Sequence, residues 1–418
     1  MGNKNVGLIN YIIILLAITI SFNSFWAITS AFTGMVRISN NIALLALITV
    51  IFIDIVNEQI RNKIFFNYRR MLLSILFLIF IVLLFVMNFI VNGTLTIGND
   101  IATYGWLIPI ILLVNMIRSA DINVKRIECF LLWMVVPQLF LGMLQHYMKR
   151  TFVPIVSGGK TIVNTIFFLN GASSNDPNYL NYGAQIRAFG MTDSGLTLGV
   201  WALLVFSISL FSKRFTKKVR IFLFIFSGIA AFATLTRNIY IACLFLLFFK
   251  ILLTRFKISK HLLNVVFIVL FFFSFIGVYI SSFLYVINNY VSSFGITTFG
   301  VRFQYLHSVL QRLSDTSSIM FGLQIKPNIN NPIDNGIIAL LVDKGVLLTA
   351  AIVLLFIYIY IKYINNGDNV FINDGTDLSF SSFFLTFPIV SFANNVTTTY
   401  GYILIIAIML FNNNRNKL

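Results

Sequence analysis

The sequence predicts an all-α protein, a polytopic helical bundle that spans a membrane without a separate soluble domain. Of the 418 residues, 58% are hydrophobic and only 10% are charged, whereas soluble domains carry about 25% charged residues. Apolar stretches of roughly the 20 residues that one helical crossing needs recur from end to end. We therefore expect residues 1–418 to form a single transmembrane domain.

About twelve apolar stretches predict transmembrane helices. The first runs from Leu8 to Ala27 and no small-residue cleavage site follows it, so we interpret it as a helix rather than a signal peptide. The predicted spans are 8–28, 40–56, 71–91, 101–117, 127–147, 193–212, 220–236, 238–254, 262–285, 336–361, 379–394 and 400–412.

The distribution of Lys and Arg predicts the orientation. The net charge is +17, and most basic residues fall near 61–70, 118–126, 213–220 and 250–260. If successive spans cross the membrane in alternating directions, these segments all lie on the same side of it. Cytoplasmic loops are enriched in basic residues. We therefore expect both termini in the cytoplasm. Topology accounts for most of the charge, so no nucleic-acid partner is predicted.

The same topology leaves two long external loops, approximately 148–192 and 286–335. Lys4, Lys362, Arg415 and Lys417 also fall on the cytoplasmic side, and Lys344 lies within a predicted span. The other basic residues fall at or near this outer face: Arg37, Lys149, Arg150, Lys160, Arg187, Arg237, Arg302, Arg312 and Lys326. Long loops on a helical scaffold are common locations for binding and chemistry. We therefore expect the functional residues in these loops and their flanks.

Two arginines border apolar segments on the outer side. Arg187 is either an interfacial residue that extends toward lipid headgroups or a phosphate ligand, because a guanidinium presents a planar fork to phosphate oxygens. Arg237 lies between two apolar runs with almost no loop, at the tip of a predicted tight hairpin. A charge at membrane depth usually faces a polar cavity, which favours a functional role for Arg237.

The segment "VRFQYLHSVLQRL" predicts an amphipathic helix in the second external loop. Arg302 falls on its apolar face, whereas Arg312 falls on the polar face. We therefore expect Arg302 to point toward the bundle and to bind an anion. His307 lies on the polar face, where an ordinary solvated or interfacial histidine is the simpler interpretation.

Asp334 directly precedes a predicted span. It is either the N-cap of that helix or a general base at the outer mouth of the bundle. Within the span, Asp343 and Lys344 are adjacent, and neighbouring residues do not face each other on a helix. We expect no simple pair between them, but we expect one or both to face the interior.

Neither a metal nor a cofactor is predicted. The sequence has three His and two Cys residues without metal-ligand spacing. Cys129 and Cys243 lie far apart in apolar segments, where we expect them to be small buried hydrophobic residues.

Four segments together resemble the O-antigen polymerase/ligase superfamily. "IRAFGMTDSGLTLG" resembles its R-x-x-G segment, "TLTRNIYIA" its short Ser/Thr-Arg hairpin, and "GVRFQYLHSVLQRL" its arginine-bearing external helix. The stretch "IMFGLQIKPNINNPIDNGIIALLVDKGVLLTA" resembles the segment that contains a D/H-N pair and a following helix. The resemblance covers about residues 180–350. Ligases carry His-Asn at the pair, whereas this chain has Asp334-Asn335, which favours a Wzy-type polysaccharide polymerase.

The resemblance implies a metal-independent, inverting glycosyltransferase in a bacterial cytoplasmic membrane, with its active site facing outside. It would join undecaprenyl-pyrophosphate-linked oligosaccharide repeats into capsular polysaccharide, exopolysaccharide or O-antigen, and it could work with a flippase and a chain-length regulator. The pyrophosphate would be bound by Arg187, Arg237 and Arg302, and the general base would be Asp334. Supporting residues of the active site would be Asn335, His307 and Asp343. The alternatives are an O-antigen ligase and, from a different class, a lipid-linked oligosaccharide flippase.

Overall fold

The fold was analysed in a computed structural model of the chain. It describes residues 2–62, 68–93, 97–114, 123–154, 156–157, 160–161, 186–256, 258–273, 309, 311–313, 315–324, 335–365, 377–392 and 395–411. Over these residues the fold is helical, apart from a two-residue antiparallel ladder between Val156–Ser157 and Lys160–Thr161.

Fifteen α-helices are described in chain order. They are α1 Gly2–Ser21, α2 Phe25–Thr33, α3 Asn40–Asn62, α4 Tyr68–Asn92, α5 Ile97–Tyr104, α6 Leu107–Val114, α7 Val124–Met148, α8 Gly195–Phe211, α9 Lys217–Ala233, α10 Arg237–Arg255, α11 Lys260–Phe273, α12 Thr316–Phe321, α13 Gly336–Ile359, α14 Ser379–Ser391 and α15 Thr397–Phe411. A π-helical turn, Tyr360–Ile364, continues α13.

The helices confirm a multi-pass helical membrane protein, but not the predicted number of crossings. Within the described part of the chain, five helices are long and apolar enough to span a membrane, and α1 with α2 makes a sixth if this pair, bent by 89°, is one span. The bend follows from Asn23, which adopts a left-handed φ of 57°. The described part of the predicted span 101–117 likewise contains two short helices, the end of α5 and the whole of α6.

Burial separates helices that face lipid from helices that form the core. On α4, large apolar side chains such as Leu73, Leu83 and Ile90 are exposed, and so much exposed apolar surface is stable only in contact with lipid. Helix α8 is buried on nearly all sides, as expected for a helix that is apolar all round. It packs against α7, α9, α10, α14 and α15.

One end of the bundle is basic. Arg214, in the short link between α8 and α9, pairs with the buried Glu128 of α7 and lies 3.0 Å from Asp377, just before α14. The link therefore sits at the same end as the start of α7. This agrees with the sequence-based assignment of segments 118–126 and 213–220 to one side.

Candidate functional site

The opposite end of the bundle contains a corner where three chain segments meet. The amide of Ala188 donates to the carbonyl of Ala233 at 2.9 Å, which docks the segment before α8 onto the end of α9. At Gly195 a Cβ atom would lie 3.0 Å from Ala188 O and 3.1 Å from Thr234 O. Glycine at this position therefore allows α8 to begin against both segments.

This corner holds two of the three arginines singled out in the sequence. The predicted tight hairpin is present, since α9 ends at Ala233 and α10 begins at Arg237, whose side chain is exposed. Arg187 is partly buried, and its Cβ lies 3.2 Å from the position that a Cβ at Gly195 would take. Ala188, the residue after Arg187, donates to the carbonyl of Ala233 at the end of α9. The two arginines therefore flank the same turn.

Gln145 of α7 fixes the backbone on either side of Arg187. Its Oε1 accepts from the amides of Gly190 at 2.7 Å and Phe189 at 3.2 Å. Its Nε2 donates to the carbonyls of Thr151 at 2.6 Å and Gly190 at 2.9 Å. The side chain is fully buried. One amide thus satisfies four backbone groups and sets the path of the segment that carries Arg187.

A polar path connects this corner to the rest of the same end. Asp193 accepts a hydrogen bond from Asn23 at the bend between α1 and α2, at 3.0 Å. Asn40, the first residue of α3, donates to the Asn23 carbonyl at 2.9 Å. Its neighbour Asn41 donates to the Gly98 carbonyl in the first turn of α5 at 3.3 Å.

The path reaches a buried polar cluster around Lys344. The Lys344 Nζ lies 3.0 Å from Asp100 Oδ1, 3.3 Å from Asn88 Oδ1 and 3.9 Å from Asp343 Oδ1. Tyr104 donates to Asp343 Oδ2 at 2.8 Å. A lysine with no exposed side-chain surface is costly in a bundle unless carboxylates and amide oxygens surround it.

The prediction that Asp343 or Lys344 faces the interior is confirmed, because both are buried. We expected no simple pair between these neighbours. The Lys344 Nζ does lie 3.9 Å from Asp343 Oδ1, but it lies closer to Asp100, at 3.0 Å. The helix is also interrupted directly after them. Gly345 breaks α13 with φ 77° and ψ 177°. The break frees carbonyls of the preceding turn, and the amides of Leu323 and Gln324 pair with Val342 O at 2.7 Å and Asp343 O at 3.2 Å.

A groove of about 370 Å³ lies beside the cluster, between α4 and the α5–α6 pair. Apolar residues such as Phe85, Phe89 and Ile108 form its walls, whereas Asp100, Tyr104 and Gln324 give it a polar end. Gln324 donates to Asn88 Oδ1 at 2.7 Å. The groove therefore connects the lipid-facing surface to the cluster.

Asn335 has a defined role at the start of α13. Its Oδ1 accepts from the amides of Ile337 and Ile338, each at 3.0 Å. The N-cap of this helix is therefore Asn335, and not Asp334, which the sequence had suggested for this role. Asp334, Arg302 and His307 lie outside the described residues.

Sequence reasoning missed several residues of these two sites. Asn88, Tyr104 and Gln145 are polar or aromatic side chains within apolar helices, and nothing local distinguishes them from ordinary helix residues. Asp100 could have been identified from the sequence, because an acidic residue at the border of a predicted span indicates a functional site or an ion pair. Among the described residues, no group of three His, Cys, Asp or Glu side chains could hold a metal ion.

Comparison of the chain with protein-family models, with curated proteins and with solved structures finds no match. The geometry of the corner and of the Lys344 cluster is therefore the basis for the functional interpretation.

Proposed function

We propose that this protein is a membrane glycosyltransferase that polymerises lipid-linked oligosaccharide repeats at the outer leaflet of a bacterial cytoplasmic membrane. In this proposal the chain crosses the membrane about twelve times, with the shorter buried helices counted among the crossings. Undecaprenyl-pyrophosphate would carry the growing chain and the incoming repeat.

The observation that carries the proposal is the placement of Arg187 and Arg237 around one turn. Arg187 lies on a segment hydrogen-bonded to Ala233, and Arg237 begins the next helix, four residues after Ala233. Two guanidinium groups at one corner suit a diphosphate, which carries several negative charges on a compact group. The rigid attachment through Gln145 supports a role in binding, because precise positioning of charge is needed for catalysis.

In the proposed reaction the acceptor sugar hydroxyl attacks the anomeric carbon of the donor. The bond from C1 to the pyrophosphate oxygen breaks, and the pyrophosphate leaves with that electron pair. Arg187, Arg237 and Arg302 would stabilise the negative charge as it develops on the leaving group. Asp334 would accept the proton of the acceptor hydroxyl. Attack opposite to the leaving group would invert the anomeric centre.

The N-cap geometry of Asn335 supports the assignment of the proton acceptor. Because the Asn335 side chain caps α13, the helix start does not require Asp334 as its capping group. The substitution Asp334→Asn should therefore abolish polymerisation while α13 remains capped.

The test is complementation of a deletion strain, with the polymer length measured by gel electrophoresis. We expect Arg187→Ala and Arg237→Ala to lose on the order of 10²–10³ in rate and to leave single repeats on the carrier lipid. Arg37→Ala removes an exposed arginine outside the corner and should keep the full ladder. A normal ladder in both corner variants would reject the proposal.

A transporter of lipid-linked oligosaccharide is the second candidate, and the break in α13 favours it. Transporters often place substrate sites at interrupted helices beside buried charges, and Lys344 lies next to such a break. The product distinguishes the two functions. Loss of a polymerase leaves single repeats outside the cell, whereas loss of a flippase leaves none there.

An O-antigen ligase remains the related alternative. A ligase would transfer a finished polymer to a lipid acceptor and would leave chain length unchanged when it is removed. Shortening of the polymer to single repeats in the deletion strain would therefore exclude it.

A further inference from the structure

A second open groove lies at the basic end of the bundle, away from the proposed active site. It forms between the second and third turns of α1 and the first two turns of α7, and it has a volume of about 750 Å³. Leu8 and Tyr11 of α1 line one side, whereas Lys125, Arg126, Cys129 and Phe130 of α7 line the other.

The floor of this groove is apolar. The rings of Tyr11 and Phe130 meet edge to face with centroids 5.1 Å apart, which joins the two helices. Leu8 is 61% exposed beside them. Cys129 is also exposed, contrary to the expectation that it is a buried hydrophobic residue. An aliphatic chain that lies along this floor would cover these side chains.

The rim of the groove is cationic. Lys125 and Arg126 are exposed in the first turn of α7, where the helix dipole adds a partial positive charge. The side chain of Asn123 accepts from the Arg126 amide at 3.1 Å and fixes this turn. Glu128 lies one turn further along the chain, but it is buried against Arg214 at the bundle interior. No acidic side chain is among the described residues that line the groove.

We propose that this groove binds an anionic phospholipid, with its phosphate at Lys125 and Arg126 and one acyl chain on Leu8, Tyr11 and Phe130. The charge of the rim selects an anionic headgroup over a zwitterionic one, and the apolar floor requires an attached chain. This site is independent of the proposed glycosyl transfer, because it lies at the opposite end of α7 from Gln145 and the Arg187 corner.

The site differs from general attraction of basic loops to the membrane surface. Lys217 and Lys218 form a second basic pair in the first turn of α9 and are also exposed, but they are not among the residues that line the groove. If only surface charge determined lipid binding, both basic pairs would contribute equally to the affinity for an anionic lipid. Each basic residue near an anionic surface contributes about 1 kcal/mol, which corresponds to about fivefold in affinity.

The test measures the binding of phosphatidylglycerol and of phosphatidylcholine to the purified full-length protein in detergent by native mass spectrometry. We expect phosphatidylglycerol to bind more tightly, and the variant Lys125→Gln/Arg126→Gln to lose about 10- to 30-fold of this preference. The matched control Lys217→Gln/Lys218→Gln should keep it. Equal losses in both double variants, or equal binding of the two lipids to the unmodified protein, would overturn the proposal.

A second measurement uses the unmodified protein and does not depend on how the variants fold. Phosphatidylglycerol should slow maleimide labelling of Cys129, which lines the groove, and leave that of Cys243 unchanged. Glycerol phosphate without acyl chains should give no protection, because it cannot cover the apolar floor. Protection by glycerol phosphate would identify a site for free phosphate instead, and no protection by phosphatidylglycerol would reject the lipid site.

Discussion

The Nζ of Lys344 lies 3.0 Å from Oδ1 of Asp100, and this contact joins the interrupted helix α13 to α5 inside the bundle. The rings of Phe85 and Tyr104 cover the ammonium group at 5.3 and 5.8 Å from their centroids. The cluster therefore holds a buried cation at the point where α13 changes direction.

We predict that Lys344→Met destabilises the protein by about 3–5 kcal/mol, because Asp100 and Asp343 would lose the cation between them. Thermal unfolding in detergent measures the loss. The double variant Lys344→Met/Asp100→Asn should recover part of it, since one buried negative charge is removed as well. Lys362→Met, in the π-helical turn that follows α13, is the control. Equal stability of Lys344→Met and the control would contradict the prediction.

We predict that Gly345→Ala prevents the break in α13 from forming as observed. A Cβ at Gly345 would clash with the carbonyl oxygen of Met320, and a φ of 77° with a ψ of 177° costs a non-glycine residue about 1–3 kcal/mol. Thermal unfolding should show a loss well beyond that amount. Gly228→Ala serves as the control, because its Cβ would meet its nearest neighbour at 3.8 Å. Similar unfolding temperatures for the two variants would argue against a strained break.

We predict that Gln145→Leu disturbs the Arg187 segment without removing an arginine. The amides of Phe189 and Gly190 would lose their acceptor, at a cost of about 1–3 kcal/mol for each unsatisfied group. Under the proposed function, polymer length should fall as expected for Arg187→Ala. Gln145→Glu keeps the acceptor but places a carboxylate oxygen against the carbonyls of Thr151 and Gly190, so it should not restore polymer length. Met148→Ala, with an exposed side chain three residues later, should leave polymer length unchanged, and a matching defect there would refute the prediction.

We predict that the cap of α12 weakens only in strong acid. Hydrogen bonds from Ser317 and Ser318 lower the pKa of Asp315 to about 2. A carboxylate with a lowered folded-state pKa stabilises the fold fully above its unfolded pKa of about 3.9, and this contribution disappears as the pH falls through about 2. Hydrogen exchange of the Ser318 amide, followed from pH 5 to pH 2, should show this loss of protection. This pH dependence should be absent in Asp315→Ala. Protection of the Ser318 amide that is already lost at pH 4 to 5 in the unmodified protein would contradict the prediction.

Several features of the fold could be predicted from the sequence because they depend on local composition. Long apolar stretches predicted helices such as α3, α4, α7 and α10, since a helix in lipid satisfies its own backbone groups. The same hydropathy did not reveal the bend at Asn23 or the division of α5 from α6. These interruptions lie within apolar sequence, and their conformation depends on contacts with distant segments.

The candidate sites, too, were predictable from the sequence only where they depend on local composition. The sequence by itself determined that this is a multi-helix membrane protein and that Arg187 and Arg237 border apolar helices, because charge at a membrane boundary is rare enough to stand out. Only the tertiary structure decided that both arginines flank one turn, that Asn335 caps α13, and that Lys344 lies between Asp100 and Asn88. The partners of Lys344 are far apart in the chain, and a buried charge is stable only where packing brings such partners together.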